Sequence, residues 1–123
     1  MFIWQKKLTT GAGNKSFASI ARKNTKGNQM TIAFSAEFMQ KFGVKIGERL
    51  VVGFDKESKR IGLNKSEDGY KLCKNGSSGT GRVAFSAKNF PFNITKMAFN
   101  DDEIFRENGI IIFELINKDI GEM

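Results

Sequence analysis

The chain has 123 residues, 40% of them hydrophobic and 27% charged, which is the balance of one folded globular domain rather than of a disordered chain. It has no histidine and one cysteine, which excludes an intramolecular disulfide, a cysteine-rich zinc site and chemistry that needs histidine. The formal net charge of +7 favours a polyanionic partner.

The N-terminus carries a short apolar stretch but no membrane signal. Met1–Trp4 is followed at once by Gln5-Lys6-Lys7, which makes it too short for the core of a signal peptide, and no other apolar run is long enough to span a bilayer. A single cysteine fits a reducing compartment. We therefore predict a cytoplasmic protein without a membrane partner.

Positive charge is concentrated in the first half of the chain. Residues 1–50 hold nine Lys or Arg and two Glu, and no acid precedes Glu37, whereas residues 83–123 hold four basic and seven acidic residues. This asymmetry predicts that one side of the molecule faces a nucleic acid. A basic surface that only keeps the protein soluble and an anionic membrane are the alternatives.

A first unit, residues 16–65, reads as strand, loop, strand, short helix and hairpin. Ser35 suits a helix N-cap, Glu37 favours the positive helix end, and Gly43 supplies the positive φ that ends the helix. The predicted strands are Phe17–Arg22, Met30–Phe34, Arg49–Phe54 and Lys59–Asn64.

A second unit, residues 70–116, begins in the same way. Pro91 discourages a full helix after its second strand, and Asn108-Gly109 predicts a tight turn into the last strand. Residues 66–69 are too short to separate independent domains. The predicted strands are Tyr70–Lys74, Arg82–Phe85 and Ile110–Ile116.

The two units share a sequence repeat. Ala33-Phe34-Ser35-Ala36 recurs as Ala84-Phe85-Ser86-Ala87, and at the same spacing of 51 positions Lys23-Asn24 recurs as Lys74-Asn75. The repeat predicts one domain over residues 1–123, made of two units and preceded by an N-terminal strand or arm at 1–15.

The segment Met30–Leu50 resembles the AbrB/MazE-type swapped-hairpin domain family. It has the strand, the short Glu-bearing helix and the glycine-containing turn into a hairpin, and Gly81–Ser86 (GRVAFS) resembles the opening of the same motif. The resemblance implies a mostly β fold with one or two short helices, in which tandem swapped-hairpin-like units form a single small β-barrel. It also implies basic loops presented to DNA, as in transcription regulators and antitoxins. Ser35 and Ser86 stand where the family usually has proline. Thr31 of the first unit replaces the loop arginine that is usual in the family, and the second unit retains this arginine as Arg82.

The candidate nucleic-acid-binding residues combine cations with amides and a hydroxyl around the first strands of each unit. Cations neutralise phosphates, while amides and hydroxyls can bond phosphates or base edges. The candidates are Lys6, Lys7, Lys15, Arg22, Lys23, Asn24, Lys26, Asn28, Gln29, Thr31, Lys74, Asn75 and Arg82.

The aromatic residues divide into two groups. Trp4 and Phe17 lie beside lysines and are candidates for stacking on bases. Five others are predicted to fill the core, as is Cys73. These five are Phe34, Phe38, Phe42, Phe85 and Phe113.

No group of residues indicates catalysis, a cofactor or a metal. Gly11–Ser16 lacks the glycines that a phosphate-binding P-loop needs. Asp101-Asp102-Glu103, without histidine, is predicted to be an acidic loop rather than a magnesium site.

The sequence therefore predicts a non-enzymatic DNA-binding protein, with a duplex-binding transcription regulator as the first interpretation. A single-stranded DNA-binding protein of phage type, serving replication or recombination, is the second, and an antitoxin or inhibitor that binds protein is the third. The oligomeric state stays open, because two units can close one barrel within a chain or pair across a homodimer.

Overall fold

The computed structural model describes residues 16–22, 29–76, 79–88, 90–115 and 121–122, which are mostly β and contain one α-helix. The helix, α1, spans Ala36–Phe42. The strands are β1 (Ala18–Arg22), β2 (Gln29–Phe34), β3 (Arg49–Asp55), β4 (Arg60–Lys65), β5 (Tyr70–Lys71), β6 (Cys73–Lys74), β7 (Gly81–Ser86), β8 (Phe92–Asn93), β9 (Lys96–Phe99), β10 (Ile104–Glu107), β11 (Ile110–Glu114) and β12 (Gly121–Glu122).

These strands form two five-stranded antiparallel sheets and one small pair. Sheet A has the order β6-β7-β2-β1-β9, sheet B has the order β10-β11-β4-β3-β5, and β8 pairs with β12. No strand ladder among the described residues joins sheet A to sheet B. The mostly β class is confirmed, and the closed barrel stays a prediction.

The helix and the hairpin turns form where short-range signals predict them. The Oγ of Ser35 accepts a hydrogen bond from the backbone N–H of Phe38 at 3.1 Å, and Gly43 ends α1 with φ 65°. Asn108 and Gly109 have φ 54° and 81°, so both adopt the positive φ of the tight turn between β10 and β11. The described part of residues 86–99 contains no helix, as expected from Pro91.

Sheet A pairs the repeated segments with each other. Ile32 on β2 lies opposite Val83 on β7, and these residues are 51 positions apart, which is the repeat spacing. In sheet B the hairpin β3–β4 lies beside the hairpin β10–β11, with Gly62 opposite Ile112. A two-fold relation between the predicted units would produce both registers.

Two chain segments contribute a strand to each sheet. In residues 70–74, β5 belongs to sheet B and β6 to sheet A, and the fully buried Leu72 lies at the bend between them. In residues 96–107, one turn of 3-10 helix at Asp101–Glu103 separates β9 of sheet A from β10 of sheet B. Bends of this kind form the corners at which strands switch sheets.

One hydrophobic core lies between the two sheets and holds residues of both. Phe38 of α1 connects them, because its ring stacks on Phe34 of sheet A at 4.5 Å and contacts Phe113 of sheet B at 5.9 Å between centroids. All five phenylalanines that were predicted to fill the core are 5% exposed or less.

The linker between the predicted units is a tight turn that needs glycine. The N–H of Gly69 donates to the carbonyl of Ser66 at 3.0 Å. A Cβ on Gly69 would lie 2.3 Å from the carbonyl carbon of Leu50, so this backbone approach is closed to other residues. No helix among the described residues is long and apolar enough to cross a membrane.

Candidate nucleic-acid interface

The outer face of sheet A carries small side chains, and a depression of about 600 Å³ that Glu37 and Asp101 also line opens over Ser19 and Ala33. On β2, Met30, Ile32 and Phe34 are buried, so the alternating residues point away from the core. The neighbouring strands alternate in the same way. The small outward-facing residues are Ser19, Ala21, Thr31, Ala33, Ala84, Ser86 and Ala98.

Two exposed cations stand on opposite sides of this face. Arg82 lies opposite Ala33 on β7, and Lys96 lies opposite Ala21 on β9. Strands β7 and β9 are three strand spacings apart, which places the two cations about 14 Å or more from each other. A phosphate chain lying across the small side chains can therefore contact both.

The charge of sheet A differs from that of sheet B. The five strands of sheet A contain no Asp or Glu. In sheet B, Arg60 pairs with Glu107 at 3.3 Å and with Glu114 at 3.1 Å. The strands of sheet B hold five basic and three acidic residues. With four basic residues and no acid, sheet A is the more positive of the two sheets, which suits it to an anionic partner.

The structure brings together a subset of the predicted binding residues. Thr31 and Arg82 lie on adjacent strands as diagonal neighbours of the outer face, since Thr31 is paired with Ala84. Gln29, exposed at the start of β2, belongs to the same face. Lys74 and Asn75 are exposed at the edge beside β7.

The other predicted binding residues do not join this group. Arg22 is half-buried at the end of β1, where it is paired with Met30 on the inner side of the sheet. The remaining candidates lie outside the described residues: Trp4, Lys6, Lys7, Lys15, Lys23, Asn24, Lys26 and Asn28.

Phe17, the second stacking candidate, lies against the core. Its half-buried ring contacts Phe38 at 5.4 Å and Phe42 at 6.2 Å between centroids, and the Nζ of Lys41 lies 5.5 Å from its centroid. These contacts favour a packing role for Phe17 over base stacking.

The prediction that Cys73 fills the core is wrong. Cys73 is exposed and is paired with Arg82, so its side chain is on the outer face of sheet A. Its thiol therefore lies beside Arg82.

Lys96 lies on the candidate interface, and sequence reasoning missed it. It reaches the face because β9 pairs with β1, a contact between segments more than 70 positions apart. No local motif around Lys96 signals this pairing.

The acidic turn Asp101–Glu103 is occupied by contacts within the protein. Asp101 forms an ion pair with Lys41 of α1, and a carboxylate oxygen of Glu103 accepts a hydrogen bond from the N–H of Asn100 at 2.8 Å. No group of three or more Cys, Asp or Glu is arranged to hold a metal ion in the described part of the chain.

No protein-family model matches the chain, and neither a curated protein nor a solved structure matches it.

Proposed function

We propose that this chain is a non-enzymatic DNA-binding protein that holds duplex DNA against the outer face of sheet A, as a transcription regulator does. The observation that carries this proposal is a sheet whose strands contain no acid and whose outer face has exposed cations on both sides of small central side chains. Phosphate neutralisation by such cations and the release of counterions drive DNA binding.

The side chains of this face favour a duplex over a single strand. Binding of single strands relies on exposed aromatic rings that stack on bases, and the outward-facing described residues of sheet A are small, polar or basic. Alanine and serine let the phosphate backbone approach the sheet closely. The resemblance to the AbrB/MazE-type domain supports the same interpretation, including a barrel built from two swapped-hairpin-like units.

The proposal is tested by titrating labelled DNA with the full chain at two salt concentrations. Duplex and single strands of the same length are compared for the wild type, Arg82→Ala, Lys96→Ala and Lys56→Ala. Lys56 is the matched control, because it is an exposed lysine in the turn between β3 and β4 of sheet B.

We expect the wild type to bind the duplex more tightly than the single strand. Arg82→Ala and Lys96→Ala should each bind the duplex more weakly, and the slope of log K against log salt should be shallower by about one unit for each variant. Lys56→Ala should bind like the wild type. Preference for single strands with quenching of Trp4 would instead support the single-stranded DNA-binding alternative. No DNA affinity, together with a protein partner retained at high salt, would favour the antitoxin or inhibitor alternative.

A further inference from the structure

The depression on the outer face of sheet A lies beside one of the two cations of the candidate interface. Its floor is formed by the paired residues Ser19 and Ala33 of β1 and β2. Ala33 is also paired with Arg82 on β7, so the depression opens next to that guanidinium. Three segments form its walls: Ser35–Glu37 at the start of α1, Asn75 and Thr80 between β6 and β7, and Asn100–Asp101 after β9.

The two acidic residues of this depression differ in their partners. Asp101 forms an ion pair with Lys41. Glu37 is exposed, and no ion pair or hydrogen bond among the described residues includes its carboxylate. Lys41 lies four residues after Glu37 on α1, a spacing that suits an ion pair, but it pairs with Asp101 instead. The positive helix end favours an acid at Glu37 and leaves its oxygens open to a partner on the face.

An unpaired carboxylate beside the cations has two opposite effects on a DNA partner. It repels phosphates, so it weakens binding that depends on backbone charge alone. It also accepts hydrogen bonds, and the base that offers a donor to an acidic side chain in the major groove is cytosine, through its N4 amino group. Glu37 therefore disfavours duplex that lacks a suitable base and favours duplex that has one.

We propose that Glu37 is a specificity-determining residue of the interface, and that its carboxylate accepts a hydrogen bond from the N4 amino group of a cytosine while Arg82 holds the neighbouring phosphate backbone. This inference rests on the proposed duplex-binding function and names the base that the same face selects. The first turn of α1 stands at the rim of the depression, above the small side chains of its floor. The major groove, about 12 Å wide, admits such a helix.

Asn75, on another wall of the depression, offers a different readout. It is exposed, and its side-chain amide pairs with adenine rather than with cytosine. The base that the face selects therefore distinguishes a reading by Glu37 from a reading by Asn75.

The proposal is tested by selecting bound sequences from a library of randomised duplexes with the full chain. We expect the wild type to enrich cytosine at one position. Glu37→Ala should lose at least about fivefold of the discrimination between C·G and T·A there, the lower end of what a base contact contributes. The same variant should bind duplex without the site more tightly than the wild type does, because the carboxylate no longer repels phosphates.

Two further variants complete the experiment. Glu37→Gln should move the preference toward adenine, the base with which glutamine pairs, and it replaces Glu37→Ala if circular dichroism shows that the alanine variant is unfolded. Glu57→Ala removes an exposed acid from the turn between β3 and β4 of sheet B. This matched control should keep the cytosine preference of the wild type.

A wild type that binds duplex without enriching cytosine would overturn this proposal and leave the proposed function standing. A cytosine preference that survives in Glu37→Ala, or an adenine preference that is lost in Asn75→Ala, would do the same. A folded Glu37→Ala that binds every duplex equally weakly would assign Glu37 a structural role. Absence of duplex binding by the wild type would overturn the proposed function itself, and this proposal with it.

Discussion

Ile32 and Val83 lie directly opposite each other at the centre of sheet A, fully buried and 51 positions apart in the sequence. Cross-strand pairs of β-branched residues stabilise antiparallel sheets. This contact is one of six register pairs that join the segments carrying the sequence repeat, and because both side chains are fully buried, the stability of the fold should depend on it.

Ile32→Ala is expected to lower the free energy of unfolding by about 2–5 kcal/mol, because it removes buried methyl groups and leaves a cavity. Denaturant unfolding measures the change, with Gln29→Ala at the exposed end of β2 as the control, at about 0.5 kcal/mol or less. The double variant with Val83→Ala should show a coupling of at least about 0.5 kcal/mol. Strict additivity would mean that the two side chains do not support each other.

Thr31→Arg should strengthen duplex binding. It places a cation at the position that corresponds to Arg82 in the repeat, on the same outer face. The slope of log K against log salt should steepen by about 0.9, the value for one additional phosphate contact. Gln40→Arg on the exposed side of α1 adds the same charge elsewhere, and an equal gain from that variant would argue against a specific face.

Cys73 offers a chemical probe of the same face. Because it is exposed and paired with Arg82, its thiol should react with an alkylating reagent in the native protein, and saturating duplex DNA should slow that reaction. The comparison is repeated at high salt, where the DNA dissociates and the alkylation rate of Cys73 should return to that of the free protein. An alkylation rate unchanged by bound duplex would place the DNA on another surface.

Ser35→Ala should destabilise the fold by about 1 kcal/mol, since the N–H of Phe38 loses its capping acceptor. Ser86 occupies the repeated position, and its Oγ accepts a hydrogen bond from the N–H of Lys88 in an exposed turn, at 3.2 Å. Ser86→Ala is therefore the matched control and should cost less in thermal or denaturant unfolding. Equal losses would show that the cap contributes little beyond a surface hydrogen bond.

The Glu48–Lys65 ion pair predicts a pH-dependent contribution to stability. The hydrogen bond from Lys65 lowers the pKa of Glu48 below its usual value of 4.5. The stabilisation is therefore present above the pKa of the unfolded chain and is lost as the pH falls through the lower pKa of the folded state. Glu48→Gln should lose about 0.2–1 kcal/mol at pH 7, the range for an exposed ion pair.

The difference in stability between the wild type and Glu48→Gln should narrow as the pH falls from 7 through the lowered pKa of Glu48, because protonation of the carboxylate removes the ion pair. Glu57→Gln, in the exposed turn between β3 and β4, controls for the loss of one acid. A difference that persists at low pH would assign the effect to packing rather than to the ion pair.

Local sequence signals predicted the helix and the turns of this fold. They did not predict which strands pair across long distances in the sequence. Three features depend only on neighbours within a few residues: the helix cap at Ser35, the end of the helix at Gly43 and the turn at Asn108-Gly109. The position of Lys96 depends on the pairing of β9 with β1, which periodicity in either strand does not reveal.

Cys73 shows how a one-residue difference misplaces a side chain. The sequence repeat aligns Lys74 with Lys23 and Gly81 with Met30. In the sheet, however, Lys74 is paired with Gly81 and Arg22 is paired with Met30, so Lys74 occupies the position equivalent to Arg22. The connection from Lys74 to its partner Gly81 is therefore one residue shorter than the connection from Arg22 to its partner Met30. A shift of one residue moves a strand side chain to the opposite face, and Cys73 accordingly points outward.

The two sheets lie back to back across one core, so their outer faces point in opposite directions. A partner on sheet B leaves the surface around Arg82 uncovered, and binding on one side does not obstruct the other.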